Sequence, residues 1–283
     1  SLRRQRQMCI RDRWDTGQAY LYLLPAMLVL GVFVFYPFFN AFNLSFHKVY
    51  LVKRVGDRLI PFYMEYVGLS NFTRLFHDSI FIKAIKQTSI YVGVSVPVTI
   101  GLALILATFL NEGLKLRPFY RLAYFMPYIT PVVAISLVWQ LSLIHLINWL
   151  NDKHYALPAV IIMNVWRFVG YQSIILLAGM QGIDKMYYDA AKVDGASGFQ
   201  AWRKITVPLL TPQIFFVFII SLIGSFKIFE EVFILFSGTP GPLNSAMTMV
   251  YYIFDQGFNK FHFWRAAAAS VVLFAIIFVL TLF

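Results

Sequence analysis

The stretch YYDAAKVDGASGFQAWRKITVPLLTP, residues 187–212, is the most informative part of the sequence. Its first half favours a helix that ends near Gly195, because glycine has no Cβ and takes backbone angles that stop a helix and redirect the chain. Phe199, Trp202 and Ile205 then recur at near-helical spacing, which predicts a second, short amphipathic helix. The stretch therefore predicts a helix–bend–helix.

Pro208 is placed to open the helix that follows, since proline is tolerated in a first helical turn. Apolar segments lie on both sides of the helix–bend–helix, so it would be joined rigidly to two membrane spans. Such an element can transmit a movement of a soluble partner to the membrane spans. On periodicity alone, a merely structural amphipathic loop is an equal alternative.

The composition indicates an integral membrane protein. The chain has 283 residues, of which 59% are hydrophobic, 18% aromatic and 13% charged. A soluble domain usually carries about 25% charged residues, so soluble enzymes and disordered proteins are poor candidates. The net charge of +11 is no sign of nucleic-acid binding, because basic residues of membrane proteins gather at span ends beside anionic headgroups. The single cysteine, Cys9, excludes an internal disulfide.

Six apolar segments are long enough to cross a bilayer, which takes about 20 residues in a helix. They cover residues 20–46, 88–110, 122–146, 155–180, 208–236 and 266–283. The predicted fold class is an all-α membrane protein with about six transmembrane helices. Basic residues are spread nearly evenly between the two sides, so the positive-inside rule does not fix the orientation.

At Asp189, Ala190, Ala191, Gly195, Ile205 and Pro208 the sequence resembles the EAA loop of binding-protein-dependent ABC importer permeases. The family form is Glu-Ala-Ala-x3-Gly-x9-Ile-x-Leu-Pro, and this chain departs from it with Asp189 for Glu and Val207 for Leu. Four more stretches are similar to the sugar-type permeases of the maltose and glycerol-3-phosphate group. They are VGLSNFTRLF (67–76), RLAYFMPYITPVVAISLVW (121–139), LAGMQGID (177–184) and SGTPGP (237–242).

The resemblance implies a permease that works by alternating access in the bacterial or archaeal cytoplasmic (inner) membrane and imports a carbohydrate or polyol. It implies that residues 181–206 face the cytoplasm and dock into a groove on an ABC ATPase subunit, which binds the ATP. No cofactor of the chain's own is expected. The other implied partners are a second permease subunit, a periplasmic or lipid-anchored solute-binding protein and the lipid bilayer, and no nucleic acid.

The same resemblance suggests a domain organisation. Residues 1–19 would form a cytoplasmic tail, of which 1–13 lack an initiator Met and are interpreted as a non-native extension. Residues 20–83 would hold the first span and an external loop or small cap, and residues 84–283 the permease core. Only ten positions separate Trp139 from Trp149, which predicts a shortened external segment, and the end within the sixth span predicts a C-terminal truncation.

Charged residues within the spans are candidates for the solute pathway. Placing Arg167 near a helix centre costs about 2.5–3.5 kcal/mol, so it is expected to face a cavity or a partner. The hypothesis is that it lines the pathway, and the alternative is a structural ion pair with an acid. Lys227, Glu230 and Glu231 are spaced to meet on one helical face, where pathway lining and structural pairing are equally supported. Asn164, Gln172 and Ser225 are weaker candidates.

No pattern in the sequence supports an enzyme. There is no Gly-x4-Gly-Lys-Ser/Thr to cradle ATP, no His-Glu-x-x-His and no Gly-x-Ser-x-Gly, and the five histidines are too scattered to predict a metal site. A secondary transporter is one alternative, although it would need no docking loop and should show inverted repeats. A non-transporting scaffold or sensor that uses the loop only to bind a partner is another.

Overall fold

The computed structural model describes residues 18, 20–55, 58–111, 116–146 and 149–282, with residues 51–55, 58–62 and 143–146 described by their backbone alone. This part of the chain forms a β-hairpin and twelve helices. The strands are β1 His47–Val55 and β2 Arg58–Tyr66. The helices are α1 Tyr20–Ser45, α2 Ser70–Phe76, α3 Ser79–Asn111, α4 Arg117–Ile129, α5 Val132–Leu146, α6 Ala156–Gln181, α7 Lys185–Val193, α8 Gly198–Leu209, α9 Thr211–Phe226, α10 Glu230–Leu235, α11 Met249–Phe254 and α12 Phe263–Leu282.

The helices confirm the predicted fold class. Four of them, α1, α3, α6 and α12, are long and apolar enough to cross a membrane, and the number rises to six if α4 with α5 and α8 with α9 each count as one bent span. The first of these pairs is bent by 92° and the second by 64°. The fourth predicted span, residues 155–180, coincides almost fully with α6.

Two spans are bent or broken where continuous helices were predicted. The third bends at Thr130, whose extended backbone (φ −65°, ψ 135°) is the conformation that a residue before proline prefers, here Pro131. In the fifth, Pro208 does not open the spanning helix, because it lies in the last turn of α8. Pro212 stands at the start of α9 instead, where a missing N–H costs nothing. Residues 227–229 then interrupt the fifth span before α10 begins.

The core is built on α3 and α6, which pack against each other along much of their length. Gly170 on α6 lets α4 approach, since a Cβ at this position would lie 1.7 Å from the carbonyl oxygen of Tyr124. α12 closes the bundle with α1 beside it, and the rings of Phe38 and Phe274 meet edge to face at 5.2 Å. These contacts place α3, α4, α6 and α9 around one central space.

The segment predicted as an external loop or small cap is an antiparallel hairpin followed by α2. Its register runs from His47 opposite Tyr66 to Val55 opposite Arg58. Asn71 on α2 is fully buried and fixes the base of the hairpin, because its Nδ2 donates to the carbonyl oxygens of Ser45 at 2.8 Å and His47 at 3.0 Å. We call this the hairpin end of the bundle, and the opposite end, with α7 and α8, the loop end.

Some predictions concern residues that the structure does not describe, or describes only in part. Residues 1–17 and 19, which include Cys9 and almost all of the predicted tail, lie outside the described residues. The predicted short external segment between Trp139 and Trp149 is described only in part.

Candidate functional site

The predicted helix–bend–helix is formed by α7 and α8, and local signals set its limits. Asp184 caps α7 by accepting a hydrogen bond from the backbone N–H of Met186 at 2.9 Å. Gly195 makes the bend with a φ of +75°, a conformation that disfavours any side chain. Ser197 and Gln200 form a capping box that starts α8, in which Gln200 Oε1 accepts from the Ser197 backbone N–H at 2.8 Å.

Two hydrogen bonds fasten this unit internally and to the bundle. Nε1 of Trp202 on α8 donates to Oγ1 of Thr108 on α3 at 2.9 Å. The hydroxyl of Tyr188 on α7 lies 2.9 Å from that of buried Thr206 on α8. The unit therefore has a fixed internal contact and is joined by a side-chain hydrogen bond to α3, a long core helix.

A cavity of about 480 Å³ lies between this unit and the loop ends of α3 and α6, and we call it the loop cavity. Its lining comprises Thr108, Asn111, Met180, Tyr188, Ala191, Lys192, Ala196, Gly198, Ala201, Trp202 and Thr206. Of the residues that carry the loop motif, Ala191 is half-buried in this lining, and Ile205 is half-buried elsewhere. The others, Asp189, Ala190, Gly195 and Pro208, are exposed.

The outer surface of the unit exposes apolar side chains beside charged ones. Val193 is 88% exposed, and Met186, Tyr187 and Phe199 are exposed as well. Asp189 and Lys192 form an exposed ion pair at 3.3 Å. A surface of this kind is typical of a protein interaction site.

A second cavity, also of about 480 Å³, lies in the middle of the bundle, and we call it the central cavity. Its hydroxyl- and amide-bearing lining residues are Tyr91, Ser95, Thr99, Tyr128, Asn164, Tyr171, Gln172, Ser221 and Ser225. Its charged lining residues are Lys227, Glu230 and Glu231. The structure thus brings together six of the predicted pathway candidates in one cavity and leaves Arg167 out of its lining.

Arg167 forms an ion pair instead, which was the alternative to pathway lining. Its Nη1 donates to Oε1 of Glu231 at 2.8 Å, and the two side chains are only 16% and 11% exposed. The guanidinium also lies over the ring of Phe168, 5.1 Å from the centroid. Arg167 is therefore bound to a lining residue, Glu231, and is not itself part of the lining.

The prediction that Lys227, Glu230 and Glu231 share one helical face is wrong. α9 ends at Phe226, Lys227 has left the helix, and Glu230 begins α10, so the spacing of three and four residues does not span a continuous helix. Lys227 and Glu230 are exposed to the cavity and form no ion pair with each other.

Several lining residues were not predicted from the sequence. Tyr128 on α4 and Tyr171 on α6 stack with ring centroids 4.2 Å apart and planes 10° apart. Nε2 of Gln172 donates to Oγ of Ser221 on α9 at 2.7 Å. A signal for part of this lining exists in α3, where Tyr91, Ser95 and Thr99 recur every four residues and so form a polar stripe on the otherwise apolar stretch 90–107.

Polar contacts fasten the hairpin end. The hydroxyl of Tyr252 on α11 donates to Oδ2 of Asp78 at 2.8 Å, and Nη1 of Arg265 on α12 lies 3.8 Å from the same oxygen. Burial raises the pKa of the Tyr252 phenol, and its hydrogen bond to Asp78 raises it further. Tyr252 therefore stays a neutral donor that links α11 to the start of α3.

Comparison with known proteins gives consistent matches over nearly the whole chain. Residues 99–283 match the family described as binding-protein-dependent transport system inner membrane component. The lactose transport system permease protein LacF of Rhizobium radiobacter is 33% identical, over 95% of this chain and 93% of that protein. The arabinooligosaccharides transport system permease protein AraP of Bacillus subtilis (strain 168) is 32% identical, over 96% of this chain and 89% of that protein.

The fold is also similar to that of solved structures. A chain of a bacterial alginate ABC transporter, crystallised in complex with an alginate pentasaccharide-bound periplasmic protein, superposes with a TM-score of 0.81. The match covers 96% of this chain and 94% of that chain at 24% identity, so it shows a shared fold.

Proposed function

The chain belongs to the family of binding-protein-dependent transport system inner membrane components and is a multi-pass permease of the inner membrane, and from this premise we propose that it imports a carbohydrate or polyol as one subunit of an ATP-driven importer. Relatives named for lactose, arabinooligosaccharides and trehalose/maltose support the solute class. ATP would be bound by partner subunits, since the chain has no phosphate-binding loop of its own.

One observation carries the coupling role. The α7–α8 unit is fastened to the core through Trp202 and Thr108, while its outer surface exposes Val193 and Phe199. In the proposed function this surface lies in the cytoplasm and enters a groove of an ATPase subunit. Movement of that groove would then reach α3 through a short, hydrogen-bonded path.

The central cavity is the proposed solute pathway. Hydroxyl and amide groups can exchange hydrogen bonds with a sugar, and the stacked rings of Tyr128 and Tyr171 offer an apolar surface. A second permease subunit would enclose the other side, and a solute-binding protein would deliver the sugar at the hairpin end. The structurally similar alginate transporter was crystallised with such a periplasmic protein. Alternating access would expose the cavity first to that protein and then to the cytoplasm.

The test is co-purification of the tagged chain with the ATPase and second permease encoded beside it. Three variants accompany the native protein. Gly195→Pro disrupts the bend, and Val193→Asp places a charge on the outer surface of the α7–α8 unit. Leu243→Asp is the matched control, because Leu243 is 74% exposed and lies at the hairpin end.

We expect the ATPase to be recovered with the native chain and with Leu243→Asp, and to be lost with the other two variants. Recovery with none of the four would overturn the importer assignment and favour a secondary transporter or a scaffold. Equal recovery with all four would show that the ATPase binds elsewhere on the chain.

A further inference from the structure

The charges around the central cavity are balanced in an unusual way. Among the described lining residues there is one cation, Lys227, and there are two carboxylates, Glu230 and Glu231. The lining alone would therefore be negative. Arg167, which is not a lining residue, compensates this negative charge, because its guanidinium binds the Glu231 carboxylate at 2.8 Å.

The position of Arg167 decides what it can do. Its side chain is 16% exposed, is not part of the cavity lining and is bound to Glu231, so its charge is used by that carboxylate and is not presented to a solute. The two charges that remain in the lining, Lys227 and Glu230, are of opposite sign. The cavity lining and Arg167 together thus carry no net charge.

A cavity of this kind discriminates between solutes by charge. An anion that leaves water for a bundle interior loses hydration worth several kcal/mol and needs a cation in return. Here an anion that approached Lys227 would also face the Glu230 carboxylate, and the charge of Arg167 is already used by Glu231. An uncharged sugar needs only hydrogen bonds, and the amide of Asn164 and the hydroxyls of Ser221 and Ser225 are suited to exchange them.

We propose that this subunit's central cavity is built for uncharged polyhydroxy solutes, and that Arg167 is the positioning residue that sets this preference by neutralising Glu231. The inference rests on the proposed function for its meaning in transport. It excludes uronates and sugar phosphates as the preferred solutes of this chain. Its relatives are named for both uncharged and charged solutes, since they include a permease named for lactose and one named for sn-glycerol-3-phosphate.

The test measures the electrostatic potential in the cavity and needs no partner protein. Ser225, a lining residue, is changed to Cys in a Cys9→Ser background, so the cavity holds the chain's single thiol. The detergent-solubilised protein then reacts with two methanethiosulfonate reagents of similar size, one cationic (MTSET) and one anionic (MTSES). The ratio of the two rates, divided by the same ratio for a free thiol, reports the local potential.

In the Ser225→Cys protein we expect this normalised ratio to be close to one. Arg167→Gln leaves Glu231 unpaired and should shift it about threefold or more towards the cationic reagent. Glu231→Gln leaves Arg167 unpaired and should shift it by a similar factor towards the anionic reagent. The double variant should return it to the starting value.

Two results would overturn the proposal. A starting ratio that favours the anionic reagent by about threefold or more would mean a positive cavity, suited to acidic sugars. Single variants that slow both reagents equally would show that Arg167 only supports the packing. Since the measurement uses neither ATPase nor binding protein, its failure is distinguishable from failure of the importer assignment.

Discussion

The indole Nε1 of Trp202 donates a hydrogen bond of 2.9 Å to Oγ1 of Thr108, two residues that are 94 positions apart in the sequence. The Thr108 hydroxyl in turn donates to the carbonyl oxygen of Leu104 at 2.8 Å, so it is held on the α3 backbone. Further along α3, Tyr91 and Thr99 line the central cavity. One helix therefore connects the loop cavity to the central cavity.

Trp202→Phe should weaken this connection while keeping a large ring in place. Loss of the hydrogen bond should lower the free energy of unfolding by about 0.5–1.5 kcal/mol. Solute-stimulated ATPase activity in the assembled importer should fall by more than this loss of stability explains. The thermal midpoint and the ATPase rate are measured together. Trp166→Phe is the control, because Trp166 is an exposed residue of α6. Equal behaviour of the two variants would contradict the coupling role of Trp202.

Features set by neighbouring residues could be predicted from the sequence. The helix–bend–helix follows from Gly195, where a left-handed backbone is needed, and the limits of α6 follow from hydropathy alone. The capping box of Ser197 and Gln200 was readable in the same way, although the prediction did not use it.

Features that depend on distant residues could not be predicted. Arg167 and Glu231 are 64 positions apart, and only the packing of α10 beside α6 shows that they pair. The interruption at residues 227–229 is stabilised by Thr248, whose Oγ1 donates to the freed carbonyl oxygen of Ile228 at 3.0 Å. No local signal in the sequence around Lys227 predicts this break in the helix, so a continuous helix was the natural prediction.

Gly170→Ala should be strongly destabilising. A Cβ at this position would lie 1.7 Å from the Tyr124 carbonyl oxygen, and a backbone atom cannot move aside as a flexible side chain could. Separating α4 from α6 should cost about 3 kcal/mol or more, seen as a lower thermal midpoint or as loss of the folded, monodisperse protein. Gly93→Ala is the matched control on α3, where an added Cβ meets nothing within 4 Å. A stable Gly170→Ala protein would mean that the two helices do not pack this closely.

Asn71→Ala should loosen the hairpin end. It removes both donors to the Ser45 and His47 carbonyl oxygens at a fully buried position, for which a loss of about 2 kcal/mol is expected. Asn259→Ala removes an exposed hydrogen bond to Asp255 and should leave the thermal midpoint nearly unchanged. If both variants melted alike, Asn71 would not be what fixes the hairpin base.

The triplet that begins at Asn71 resembles a glycosylation site, but the burial of Asn71 leaves no room for a glycan.

Gln172→Leu should weaken solute binding in the assembled, reconstituted importer. Oε1 of Gln172 is buried at the central cavity without a hydrogen-bond partner among the described residues, while its Nε2 is held by Ser221. The amide is thus held at the cavity wall with one unpaired acceptor, which a sugar hydroxyl can reach when the neighbouring side chains move aside. Loss of a single such bond should raise KM by about three- to tenfold with kcat little changed.

Gln213→Leu is the matched control, since Gln213 packs beside Gly179 and does not line the central cavity. Uptake of a radiolabelled neutral disaccharide, beginning with lactose and continuing through a panel, gives both constants. A KM that rises equally in the two variants would show a general packing defect, and an unchanged KM in Gln172→Leu would remove Gln172 from the pathway.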